Sequence, residues 1–305
     1  MGDMIEVARS SVQTWECDQM GHMNVQFYVA KAEDGLAALA SALGLGHHVQ
    51  RREGTVLVAR EHHIRFHREL RPGAPFVVRG GVLRALIEGL EFYEELRTVV
   101  PDEVSATFYV RAEWADHETR GGLPLPVAAL AKVAPFAIDL PKHGAPRGLE
   151  LLPPRPAPRL EEAERMGLIT TYRGAVLPEF CDRGGFMTAR HFMGRVSDAI
   201  PNLLAQTRGE DRSKSATGGA ALEYRFLYRA PAREGDVLVL KSGLKSVGQK
   251  TYVWCHWLFD AETGDCVSTS EAVAIAMDLA TRKAIDIPPD MRKQLESLVI
   301  PDLSV

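Results

Sequence analysis

Residues 16–25 read ECDQMGHMNV and place a carboxylate, Asp18, an imidazole, His22, and a carboxamide, Asn24, within seven residues, just before a stretch of helical periodicity. A carboxylate in such a loop can attack an electrophilic carbon or take a proton from water. The first N–H groups of the following helix have no intrahelical partner and stand at the positive end of its dipole, so an oxyanion formed beside them is stabilised without reorganisation. That combination suits acyl transfer. Each residue also has a plainer role: Asp18 can cap a turn, His22 can make one structural hydrogen bond, and Asn24 is first of all a helix N-cap.

A second stretch, FCDRGGFMTA at residues 180–189, repeats the first, with Cys17-Asp18 over Cys181-Asp182 and Gly21 over Gly185, an offset of 182 − 18 = 164. Asp182 is kept, whereas Phe186 replaces His22 and Thr188 replaces Asn24. Downstream, Glu61 lies over Glu223 and Gly73 over Gly235, an offset of 235 − 73 = 162. Two independent blocks at nearly one offset argue for a duplicated unit. Aspartate is then the chemical candidate the copies share, and His22 is the group that distinguishes them.

The elements that must hold these groups follow one order in both copies: strand, loop, long helix, then a set of β segments. In copy one the helix begins after Asn24 and stops at Gly44 and Gly46, with Phe27, Tyr28, Leu36, Leu39, Ala40 and Leu43 as a buried stripe. Strands are expected near 55–69, 74–87, 90–100 and 103–115, and again near 220–229, 236–247, 250–260 and 266–278. Pro201 should kink the second helix. The fold class is α+β, with units at 1–116 and 169–305 joined by a proline-rich segment, 117–168, holding a short helix near 126–134.

Composition bounds the function classes. The 305 residues are 46% hydrophobic and 25% charged with a formal net charge of −4, which supplies a real core and no field that would favour nucleic acid or membrane. No apolar run reaches the length of a membrane span, and the N-terminus has no signal-peptide pattern. Cys17, Cys181, Cys255 and Cys266 form no CxxC pair, so a reducing cytoplasm is expected. Histidines His47, His48, His62, His63 and His67 lack HExxH spacing, and His63 and His67 on one strand would lie about 13 Å apart, so no metal is expected.

The D-x-x-G-H-x-N string at Asp18–Asn24, with an aromatic early in the helix and antiparallel strands after it, resembles the hotdog-fold acyl-CoA thioesterases of the hydroxybenzoyl-CoA type. The string is also similar to plant acyl-carrier-protein thioesterases and their bacterial relatives. The resemblance covers nearly the whole chain as two hotdog units and implies that they pair as an intramolecular pseudo-dimer, each long helix wrapped by an antiparallel sheet. It implies Asp18 and Asp182 as nucleophile or base, His22 beside them, and helix-start N–H groups at Val25 and Ala189, with Asn24, as the oxyanion and substrate site. It implies an acyl-CoA or acyl-carrier thioester substrate and no cofactor, coenzyme A being part of the substrate, and leaves a homo-oligomer of double-hotdog chains open. Two rivals stand beside hydrolysis: a hotdog dehydratase acting on hydroxyacyl thioesters, whose longer motif is not found, and a non-catalytic acyl-CoA sensor.

Overall fold

The computed structural model describes residues 3–208 and 217–305. It divides into two compact units. Unit 1 is Met1–Pro146 together with Thr188–Met193, and unit 2 is Arg147–Met187 together with Gly194–Val305.

Unit 1 runs β1 (Ile5–Ser11), α1 (Val25–Ala42), α2 (His47–Glu53), β2 (Thr55–Phe66), β3 (Pro75–Ala85), β4 (Gly89–Thr98), β5 (Val104–Asp116) and a single turn α3 (Val127–Leu130). Its strands pair antiparallel in the order β1-β3-β4-β5-β2. Helix α1 starts where Asn24 Oδ1 accepts the Gln26 N–H at 3.0 Å, and the chain leaves it through Gly44 at φ +78°, a left-handed position that glycine occupies without strain. It packs on β1, β3 and β4. Tyr28, Val29, Ala32, Leu39 and Ala40 are buried there, as are Phe76, Val78, Val82, Phe92, Leu96 and Phe108 of the sheet. Each such large side chain contributes about 1.5–3 kcal/mol by leaving water. Phe27 and Leu36 of the expected stripe are only half-buried.

Unit 2 begins with α4 (Leu160–Arg165) and β6 (Ile169–Ala175). Helix α5 (Ala189–Arg208) follows, its first residues grouping with unit 1. Then come β7 (Thr217–Tyr228), β8 (Val237–Val247), β9 (Thr251–Asp260), β10 (Cys266–Asp278), β11 (Lys283–Ala284) and α6 (Pro289–Glu296). The order is β7-β10-β9-β8-β6, with β11 on the free part of β10. One core cluster joins Ala163 of α4 and Leu168 to Leu227, Val239, Cys255, Trp257 and Phe259, closed by Leu303 and Val305.

The duplication extends to irregularities no residue pattern announces. The pairing of β1 with β3 slips between Glu6 and Ala8, and that of β6 with β8 between Thr170 and Tyr172. The β3–β4 ladder slips after Val82, the β8–β9 ladder after Leu244, and 244 − 82 = 162. Bulges at matching points bend the two sheets alike.

The connecting segment is divided between the units: Ile138 N–H bonds Val82 O at 3.0 Å in unit 1, and Arg147–Met187 belongs to unit 2. Its helix near 126–134 is one turn, because Pro135 and the residues about it pass into a 3-10 turn, Ala134–Phe136. Pro201 lies inside α5. Among the described residues no helix is long and apolar enough to cross a membrane.

Candidate functional site

The loop before each long helix is held by its own backbone, and the two copies share that scaffold. In copy one Asp18 N–H bonds His22 O at 2.9 Å, Gly21 N–H bonds Asp18 O at 3.0 Å, and Met23 N–H bonds Leu70 O at 2.8 Å. In copy two Asp182 N–H bonds Phe186 O at 2.8 Å, Gly185 N–H bonds Asp182 O at 3.0 Å, and Met187 N–H bonds Ala232 O at 2.9 Å. The turn requires a positive φ, which Gly21 supplies at +75° and Gly185 at +74°. Within it Asp18 Oδ1 accepts the Met20 N–H at 2.8 Å, and Asp182 Oδ1 accepts Gly184 N–H at 2.8 Å and Phe186 N–H at 3.2 Å. These are Asx turns, so the repeated aspartate has a structural reason to be there whatever chemistry it also does.

The neighbouring groups divide by copy. His22 is buried, with Nε2 3.1 Å from the Glu69 carboxylate. In copy two the ring of Phe186 lies 4.2 Å from the guanidinium of Arg233, a cation–π contact in place of an imidazole–carboxylate one. Asn24 is the N-cap of α1, and Val25 is its first helical residue. Cys17 and Cys181 donate weakly to Gln13 O and Leu177 O, and burial, with carboxylates nearby, raises both thiols, so neither is poised as a nucleophile. Among the described residues no group of three or more His, Cys, Asp and Glu side chains is arranged to hold a metal ion.

Helix α1 carries a further carboxyl that the motif does not include. Oε1 of Glu33 accepts the N–H of Ala189 at 3.0 Å, and the carboxyl also takes the N–H of Arg190. The Ala189 N–H assigned by resemblance to an oxyanion site is thus engaged by a carboxyl. Burial raises Glu33 to about 7, outweighing those two donors and the charge of Arg190, while Asp34 pushes the same way as burial. The Arg190 guanidinium lies 4.5 Å over the ring of Phe27. The arrangement sets a group that changes protonation near neutrality beside two N–H donors at the start of a long helix. Such a group can take a proton from water, and such donors can hold a developing oxyanion.

The sequence held a signal for Glu33 in the comparison of copies, since position 33 + 164 = 197 is Ser197 and the carboxyl occurs once. Its elevation could not be read there, because it depends on burial in the fold and on a donor, the Ala189 N–H, that lies 156 positions away.

The profile of the thioesterase-like superfamily matches residues 12–140 and again residues 176–295. A search of curated proteins found no match. Among solved structures the chain is similar to a candidate oleoyl thioesterase from Lactobacillus plantarum (12% identity, 90% of this chain and 96% of that one, TM-score 0.68). It is also similar to the 12:0-ACP thioesterase of Umbellularia californica (12%, 90% and 94%, TM-score 0.67). An acyl-ACP thioesterase of Bacteroides thetaiotaomicron is similar too (12%, 88% and 96%, TM-score 0.65). At such identities these likenesses speak for the fold, a tandem hotdog, over nearly the full length of each chain.

Proposed function

The chain belongs to the thioesterase-like superfamily, and from that premise we propose that it hydrolyses acyl thioesters at the start of α5, with Glu33 as general base. The observation that carries this reading is the Glu33 carboxyl, raised to about 7 while receiving the N–H groups of Ala189 and Arg190. When Glu33 moves off these donors, a thioester carbonyl oxygen takes the place of its carboxylate oxygen. Glu33 then draws a proton from water, the water oxygen attacks the carbonyl carbon, and negative charge collects on the oxygen facing the two N–H groups. Collapse breaks the C–S bond, and the proton held on Glu33 passes to the leaving thiolate, giving a carboxylic acid and a free thiol. General base catalysis is worth about 100- to 10,000-fold in rate.

Substrate carriers of both kinds, coenzyme A and acyl-carrier protein, belong in the test, since two of the full-length structural neighbours are named for acyl-ACP. A second reading places the chemistry at the start of α1, with Asp18 as base or nucleophile, Asp182 in the same role in copy two, and the Val25 N–H as donor. It is favoured by the exposure of Asp18 and by His22, which copy one alone possesses. Thiol release from a panel of acyl-CoA and acyl-ACP thioesters separates the readings. Glu33→Gln should lower kcat about 100-fold or more. If Glu33→Gln keeps the wild-type rate while Asp18→Asn and Asp182→Asn together abolish it, the second reading replaces the first. No thiol release from any member of the panel, with acyl-CoA still bound, would select a sensor instead.

A further inference from the structure

Unit 2 has a cleft of about 440 Å³, lined by strands β7 to β10, by residues 148–155 and by the last two residues of the chain. Its volume falls in the range of small-molecule sites. Every residue lining it belongs to unit 2, whereas Glu33, Ala189 and Arg190 group with unit 1, so it is separate from the site described above.

The floor of the cleft is charged. Arg225 of β7 pairs in register with Glu271 of β10, which pairs with Cys255 of β9. Arg225 and Glu271 are buried, at 4% and 2% exposure. Lys245 falls at the slip of β8 between Leu244 and Ser246, and a bulge re-aims a side chain; its ammonium reaches Glu271 Oε1 at 2.5 Å. The sheet also fastens the wall above. Arg225 Nη1 donates to Leu152 O at 2.8 Å, and Glu223 accepts the N–H groups of Arg147 and Gly148 at 3.0 and 2.6 Å. At the wall Arg155 pairs with Glu162, and Glu150 is exposed.

Copy one closes the same face. Tyr93 and Tyr109 stand where copy two has Cys255 (93 + 162) and Glu271 (109 + 162), and a Cβ on Gly144 would collide with the Tyr93 ring. Arg84 and Glu91, bonded at 3.1 Å, stand where copy two has Ser246 (84 + 162) and Val253 (91 + 162). His63 and Leu83 stand where it has Arg225 (63 + 162) and Lys245 (83 + 162). Copy two has thus exchanged two phenols and an ion pair for smaller groups. Over these positions copy one sets Arg84 against Glu91, and copy two sets Arg225 and Lys245 against Glu271 alone, an excess of one positive charge.

Positive charge kept out of water is costly without a counter-ion. The half-buried Lys245 ammonium has three donors, of which the bond to Glu271 uses one. Leu149, Leu152 and Val253 add apolar surface to the same cleft, and Leu152 is exposed. We propose that the cleft binds a small organic anion, its carboxylate or phosphate head against Lys245 and Arg225 and its apolar body against Leu149, Leu152 and Val253.

The test titrates the full chain, methyl-labelled at Leu and Val, with hexanoate, hexyl phosphate and hexanol, and follows the methyl NMR signals of Leu149, Leu152 and Val253. At least one anion should shift these signals to saturation and hexanol should not; the anion that saturates at lower concentration identifies the head group. Lys245→Met should weaken that binding about tenfold or more, as expected for a lost charge-assisted hydrogen bond. Glu271→Gln removes the carboxylate that competes with the ligand and should tighten binding about tenfold, an effect that a purely structural ion pair would not produce. Ser246→Arg combined with Val253→Glu puts the ion pair of copy one into the cleft at unchanged net charge and should abolish the shifts at Leu149 and Leu152. No saturable shift with either anion would overturn the proposal, as would equal shifts with hexanol, an affinity unchanged in Lys245→Met, or binding that Glu271→Gln fails to tighten. Should Lys245→Met not fold, the wild-type titrations, Glu271→Gln and the double variant decide.

Discussion

Glu33 shows how a side chain acquires chemistry from its surroundings. An ordinary glutamate is fully ionised at neutral pH and a weak base; this one is held near 7 because burial penalises its charge more than the Arg190 and Ala189 N–H groups relieve it. A base must be unprotonated to act, so kcat/KM should rise with pH through about 7 and level off above it. Arg190 favours the charged form of Glu33. Arg190→Met should therefore move that rising limb to higher pH, and Glu33→Gln should remove it along with most of the rate. A limb that stays in place in both variants would show that another group titrates in the rate. Asp18 and Asp182 share a turn role that a carboxamide can also fill, so Asn substitution there separates the chemical use of the carboxylate from its use in the loop.

At the level of elements, α1 can lie close to its sheet because Gly35 has no side chain where Glu94 comes up from β4. Alanine at position 35 gains about 1 kcal/mol of helix propensity but forces strain of about 1–3 kcal/mol on a packed site, where Val7 Cγ2 also stands 3.0 Å from the new Cβ. Gly35→Ala should lower the denaturation midpoint in the wild-type background and raise it in the Glu94→Ala background. The same sign in both would mean that Glu94 is not what reserves the space. The pattern along β4 announced this geometry in part: Phe92, Glu94 and Leu96 alternate onto one face, so a glutamate was written into an apolar row. Trp254, His256 and Leu258 on β9 repeat the anomaly in copy two.

For the whole molecule, buried titratable groups set opposing pH dependences. His62 and His256 are pushed down to about 4 by burial. Each thus adds stability that is complete above its ordinary value near 6.5 and lost as pH falls toward 4, on the order of 3 kcal/mol apiece. Glu33, raised to about 7, acts in reverse: its contribution is complete below its ordinary 4.5 and lost as pH rises to 7. Glu94 is shifted in the same direction as Glu33. Between pH 4.5 and 6.5 the two kinds oppose each other. Unfolding free energy from denaturant titrations should accordingly rise more steeply with pH in Glu33→Gln and Glu94→Gln than in wild type. A wild-type slope as steep as theirs would refute the raised carboxyls.

Much of this was already in the residue order. The duplication, the run of strand, loop, helix and strands, the Asn24 cap and the glycine turns follow from local rules that act over a few residues, and the observed strands lie within a few residues of the expected ones. The loop motif was equally plain, and so was the loss of His22 in copy two. What residue order left undecided was which carboxyl changes protonation near neutrality. A turn's own N–H groups occupy Asp18 and Asp182, whereas Glu33 meets its donors only because the chain returns 156 residues later to bring the start of α5 to it. Protonation, desolvation and partnership depend on atoms close in space and distant in the chain, and only the tertiary structure places those atoms together.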